Sequence, residues 1–176
     1  MLYSCEAFRL TMSSFLRVLE TPTDLQARAG MQLGAAYAGI AIENSMLGAA
    51  HSAANPLTSR FGIIHGLAVG LMLPHVVRWN AHDPQACQTY ARLAETAGLA
   101  PQGTPPEKSI DILVERLGAA LSAAGLSRSL ADHGIMENAI PVLAKEAAMQ
   151  WTAQFNPRAV SVEDFETLYR NAMMAT

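Results

Sequence analysis

The sequence is poor in features that mark several large functional classes. It has two cysteines, Cys5 and Cys87, far apart and in no CxxC arrangement. That excludes a disulfide framework and fits a reducing compartment. Only 15% of its 176 residues are charged, the net charge is −3, and no Lys/Arg cluster stands out. Such a chain has no electrostatic footprint for nucleic acid or for an anionic membrane surface. No apolar run is long enough to span a membrane: the longest, Ile63 to Val77, is broken by His65, Pro74 and His75. The N-terminus, Met-Leu-Tyr-Ser-Cys-Glu, has no basic stretch followed by an apolar one, so no signal peptide is read there. Long β-branched runs, βαβ units, a glycine-rich phosphate loop and internal repeats are all missing. The expectation is a soluble cytoplasmic protein with neither nucleic acid nor membrane as partner.

What the chain has in quantity is Ala, Leu and Met. Hydrophobic residues reach 51% while aromatics stay at 6%, and the dominant types are good helix formers. The length suits one domain with a sizeable core. The expected fold is all-α, an irregular bundle of about seven helices forming a single domain over residues 1–176.

Local signals divide the chain. A first helix is expected from about Cys5 to Glu20 with Ser4 as its N-cap, its apolar face marked by Phe8, Met12, Phe15, Leu16 and Leu19. Thr21-Pro22 ends it, and Thr23 with Gln26 reads as a capping box for the next. A long helix rich in glycine and alanine then runs from about Asp24 to Ala53. Its small residues point to close packing against neighbouring helices, or else to close approach of a ligand. Asn55-Pro56 is expected to break it, because the residue before proline is pushed out of the α region. A loop over residues 57–63 carries Arg60 and Gly62. A third helix follows from Ile64 to about Asn80, with Pro74 a kink point. Asp83-Pro84 opens a helix to about Ala97, and residues 98–106 form the clearest loop. Further helices are read over residues 107–124, 136–151 and 162–174, with Ser161 and Asp164 resembling a capping box.

Five histidines carry most of the chemistry available. His51 and His65 stand out, one near the expected end of the small-residue helix and the other at the start of the next. A helix–loop–helix turn brings such residues together, and neutral imidazoles are good ligands for iron or zinc. Two ligands make only part of a site, since a catalytic metal usually has three or more protein ligands and an open position. His75 lies about 80° off the His65 face on a straight helix and reads as structural. His82 reads as solvated, and His133 as a turn residue. Arg60 and Arg158 read as surface salt-bridge residues ahead of substrate or cofactor orienters. Cys87 reads as a small buried residue with no neighbouring base to make it a nucleophile.

The stretch Gly48-Ala49-Ala50-His51-Ser52-Ala53-Ala54-Asn55-Pro56-Leu57, followed by Arg60-Phe61-Gly62-Ile63-Ile64-His65-Gly66 and Leu71-Met72-Leu73-Pro74-His75-Val76, closely resembles the second signature of the iron-containing alcohol dehydrogenases. Upstream, Met31 to Ala35, Ala38 to Ala41, Asn44 and Leu47-Gly48 resemble the helix leading into it. Asn156-Pro157-Arg158 resembles the family's segment before its last helix. The resemblance covers nearly the whole chain.

It implies the C-terminal, helical domain of a two-domain enzyme. In that family an N-terminal α/β domain binds NAD or NADP, and the helical domain holds iron, sometimes zinc, through an aspartate and three histidines. The last two histidines carry over onto His51 and His65. Three departures follow. The chain reads as truncated at its N-terminus, with no Asp-x3-His pair for the other two ligands. No nucleotide-binding domain is expected within residues 1–176. Asn55 stands where the family often has another active-site histidine, so a histidine-dependent proton relay is not expected, and Asn55 becomes a substrate-pocket candidate. The implied function is the metal and substrate domain of an NAD(P)-dependent enzyme interconverting a small alcohol and an aldehyde or ketone, inactive as this chain alone. The alternatives are a non-catalytic helical oligomerisation or interaction module, and a metal-binding protein completed by another subunit. A homo-oligomer is expected, because the shortened first helix leaves apolar surface uncovered.

Overall fold

A computed structural model describes residues 2–174. Among the described residues there are eight α-helices and no strand: α1 (Leu2–Glu20), α2 (Leu25–Ser45), α3 (Ala49–Phe61), α4 (His65–Asn80), α5 (Pro84–Thr96), α6 (Pro106–Ala123), α7 (Ile140–Ala148) and α8 (Val162–Ala172). Short 3-10 turns lie at Ala131–His133, Glu137–Ala139 and Trp151–Phe155. No helix among them is long and apolar enough to cross a membrane.

The main core is built by α3, α4, α7 and α8, which bury Leu57, Leu71, Met72, Leu143, Phe165 and Leu168. A second cluster forms where α4, α5 and α6 meet, around Val77, Ala94, Ile110 and Leu113. The first two helices pair mainly with each other, and α1 also touches α5 and α6. Their close approach explains part of the small-residue stripe. A Cβ on Gly34 would sit 2.7 Å from Thr11 Cγ2 and 3.1 Å from the Ala7 carbonyl. In α2, then, this residue serves helix packing rather than a ligand.

Several expected boundaries move. Ser4 lies inside α1, which already runs from Leu2. The cap of α2 is Asp24, not Thr23: its Oδ1 accepts from the amides of Gln26 and Ala27, both at 3.0 Å. Asp is a stronger cap than Thr, and Arg17 holds its other oxygen at 2.6 Å. The long helix expected from Asp24 to Ala53 is two helices, parted at residues 46–48 where Met46 takes φ 61°. Conversely, Asn55-Pro56 breaks nothing. Pro56 is buried within α3, which continues to Phe61 and stops at the left-handed Gly62, φ 67°. The expected loop of residues 57–63 is therefore mostly helix. The expected helix over 136–151 contracts to Ile140–Ala148 between two 3-10 turns, with Pro141 in its first turn. By contrast Asp83 caps α5 through the Ala86 amide at 2.8 Å, and the Ser161–Asp164 capping box is complete.

The last helix braces α3. Tyr169 is fully buried, and its hydroxyl donates to the Ala53 carbonyl at 2.7 Å. Burial holds the phenol well above its ordinary pKa, so it stays a donor. Replacing Tyr169 by Phe keeps the ring packing and removes one bond. The expected loss is about 1 kcal/mol in urea unfolding, the usual net worth of such a bond.

Candidate metal centre

The break at residues 46–48 changes where the first histidine sits. His51 is the third residue of α3, in its first turn rather than near the C-terminal end of a longer helix, and His65 is the first residue of α4. The short link after Phe61 turns the chain so that the two rings face each other, with centroids 5.4 Å apart and planes tilted by 48°. Two imidazoles sharing one tetrahedral ion have centroids about 5 Å apart, given metal–nitrogen bonds of about 2.0 Å. The pair therefore suits a common divalent ion. Burial, with the His65 ring beside it, lowers the pKa of His51, which favours the neutral form that coordinates. Both rings sit at positive helix ends, so the helix dipoles give a cation no help. Among the described residues no group of three or more His, Cys, Asp or Glu side chains is placed to hold a metal. Among the described residues, then, two such donors come together and no third joins them.

Asn55 lies one turn beyond His51 on α3. Its Nδ2 donates to Gln150 Oε1 at 2.9 Å, and Gln150 Nε2 in turn donates to the Glu146 carbonyl at 3.3 Å. With one amide hydrogen committed, its oxygen remains an acceptor that does not titrate near neutrality. Asn55 and Gln150 line an open cleft of about 550 Å³ with Pro56, Ser59 and Met149.

Asn156, legible in the sequence only as part of the Asn-Pro-Arg segment, orders this region. Asn156 Oδ1 accepts from the Ala49 amide at 3.2 Å and so caps α3 from 107 residues away. The same oxygen accepts from Asn80 Nδ2 at 3.1 Å, while Asn156 Nδ2 donates to Asn80 Oδ1 and to the Arg158 carbonyl, both at 2.7 Å. Gly48 makes room: a Cβ there would meet Asn156 Oδ1 at 3.0 Å. One turn on, the buried hydroxyls of Ser52 and Thr152 bond at 2.8 Å. No local pattern announces this network, because its partners are distant in sequence.

The remaining candidates fall outside the site. Arg60 pairs with Glu146 through both carboxylate oxygens at the surface, an ordinary salt bridge. Among the described residues Arg158 does not form the expected surface ion pair. It stacks on Trp79, 3.8 Å from the ring centroid, and donates to the Trp79 carbonyl at 2.9 Å. His82 is exposed against that same carbonyl, and His133 ends the first 3-10 turn. Cys87 is buried, and burial followed by the Glu107 charge pushes its thiol pKa up, which favours the protonated form.

The family model described as "Fe-containing alcohol dehydrogenase family, C-terminal" matches residues 2–173. Lactaldehyde reductase of Escherichia coli (strain K12) is 33% identical over 149 residues, covering 85% of this chain and 38% of that protein. The 1,3-propanediol dehydrogenase of Citrobacter freundii is 27% identical over 168 residues, covering 95% and 43%. Among solved structures, a 1,3-propanediol oxidoreductase superposes with a TM-score of 0.91 at 26% identity, over 97% of this chain and 44% of that one. The alcohol dehydrogenase from Oenococcus oeni gives 0.88 at 26% identity, over 96% and 43%. The chain thus spans about two fifths of the length of the relatives it matches.

Proposed function

The chain belongs to the iron-containing alcohol dehydrogenase family as its C-terminal domain, and from that premise we propose that it supplies half of a metal site and one wall of the substrate pocket of an NAD(P)-linked alcohol–aldehyde oxidoreductase. The observation that supports this reading is the facing of His51 and His65 at 5.4 Å. These two residues would hold an iron or zinc ion, which when bound supplies a Lewis acid that polarises the alcohol or carbonyl oxygen. Asn55 offers a hydrogen-bonding amide one turn away and holds no titratable proton there. Substrates are small alcohols and their aldehydes or ketones, and the nicotinamide cofactor is bound by residues outside this chain. Ile64, beside His65 and 77% exposed, belongs to the surface that the rest of the enzyme covers.

This chain alone is expected to take up metal weakly and to show no NAD(P)-linked oxidation of short-chain alcohols. Metal analysis of the purified chain, with an assay of nicotinamide reduction in the presence of added iron or zinc, checks both. Turnover by the chain alone would overturn the division of labour. Complete indifference to zinc would overturn the ligand assignment.

A further inference from the structure

A second concavity, unrelated to the histidine pair, lies between α4, α6 and α8. It has two chambers, of about 140 and 330 Å³, which share Pro74, His75, Arg78 and Val114 as walls. The smaller chamber adds Arg128 from the loop after α6. The larger adds Arg170 and Asn171 from α8, and Met174.

The arginines are placed with some care. The Arg128 side chain is 19% exposed, and its guanidinium lies flat on α6 at Gly118, where a Cβ would come within 2.9 Å of Nη1. It is held by Ser122 Oγ at 2.9 Å and Glu115 at 3.5 Å, and it has a further partner as well. Arg78 pairs with Asp111 at 3.4 Å and Arg170 with Glu166 at 2.6 Å. Of these three carboxylates only Glu115 lines either chamber, and among the described residues no carboxylate side chain lines the larger one. Each pairing of Arg78 and Arg170 uses a single Nη2, while a guanidinium has five N–H donors. Between them His75 is half-buried, and its ring bonds no protein group among the described residues. Burial, then the nearby Arg78 charge, lowers its pKa to about 4. The imidazole is neutral at pH 7, with one donor and one acceptor nitrogen.

We propose that the larger chamber binds a small oxyanion with a short apolar tail, either a carboxylic acid or a phosphate ester, its oxygens taken by Arg78 and Arg170. Arginine forks match the geometry of either oxyanion. Asn171 supplies a neutral donor at the rim, and Pro74, Val114 and Met174 give the tail an apolar wall. At about 330 Å³ the chamber is at the small end of ligand pockets, which run from about 300 Å³ upward. That suits a ligand of a few carbons. The proposal does not rest on the reading of the metal site.

The test titrates the full chain with inorganic phosphate, butyrate and neutral butyramide, following the His75 ring resonances by NMR. Saturable shifts with phosphate or butyrate are expected, and butyramide should give none. Phosphate alone assigns a phosphate ester, butyrate alone a carboxylic acid, and both a shared oxyanion site. Arg78→Gln and Arg170→Gln, both at exposed positions, should each weaken binding about tenfold, the worth of one charge-assisted hydrogen bond. The double variant should abolish it, and Arg92→Gln on α5 should leave it unchanged. Matching circular dichroism and melting curves establish that the variants fold. Failure of both anions to saturate, equal binding of butyramide, or undiminished binding by the double variant would overturn the proposal.

Discussion

Replacing His51 and His65 together by alanine is expected to abolish the zinc binding of this chain in isothermal titration. Each single replacement should weaken it by about tenfold or more, because the second ligand of a chelating pair binds at high effective concentration. Zinc is the suitable probe, being redox-silent and content with imidazole. The expectation follows from geometry. The two rings lie 5.4 Å apart, and no third His, Cys, Asp or Glu side chain joins them in a cluster among the described residues. The parent affinity should therefore be modest, and nothing remains to hold the ion once the pair is gone. His75, His82 and His133 belong to no cluster of potential ligands among the described residues. A His82→Ala variant should bind zinc like the parent and serves as the control. A double His51, His65 variant that binds zinc as well as the parent would remove the assignment.

How much of this was legible in the sequence depends on the range of the interactions that decide each feature. Where neighbouring residues decide, most features are legible, although Ser4 lies inside α1 and Asp24 takes the cap of α2 in place of Thr23. Asp83 caps α5 through the Ala86 amide of its own first turn, Ser161 and Asp164 close a capping box, and the loop expected over residues 98–106 lies over 97–105, with Pro106 opening α6. Where distant residues decide, reading failed. The local bias against helix before Pro56 is outweighed by burial of Pro56 and Leu57 and by the Tyr169 bond to Ala53. The break at residues 46–48 is set by a cap 107 residues away. The error displaced His51 from a helix end to a helix start. It left intact the more important inference that a turn brings His51 to His65. That inference rests on the two histidines flanking a helix–loop–helix turn, and the resemblance of the surrounding signature strengthens it. The partners of Asn55 were beyond reach, because Gln150 is 95 residues on.

The cap from afar leads to the second large effect. Asn156→Ala is expected to cost about 3 kcal/mol in urea unfolding and, at this chain length, to lower the melting temperature by roughly 6–12 °C. Two losses combine. The first turn of α3 loses its cap at the Ala49 amide, worth about 0.5–2 kcal/mol. Asn80, 1% exposed, loses both of its bonds to Asn156 and keeps only Tyr90, and stranding a buried amide costs about 1–3 kcal/mol. Asn156→Asp separates the two. It keeps the acceptor for Ala49 and Asn80 Nδ2 but cannot donate to Asn80 Oδ1 or to the Arg158 carbonyl. Because His51 is the third residue of the helix that Asn156 caps, its ring should also lose its fixed place opposite His65. Asn156→Ala should therefore weaken zinc binding although residue 156 is no ligand. A variant that loses stability yet binds zinc undiminished would show that the start of α3 is held by the Ser52–Thr152 and Tyr169–Ala53 bonds without the distant cap.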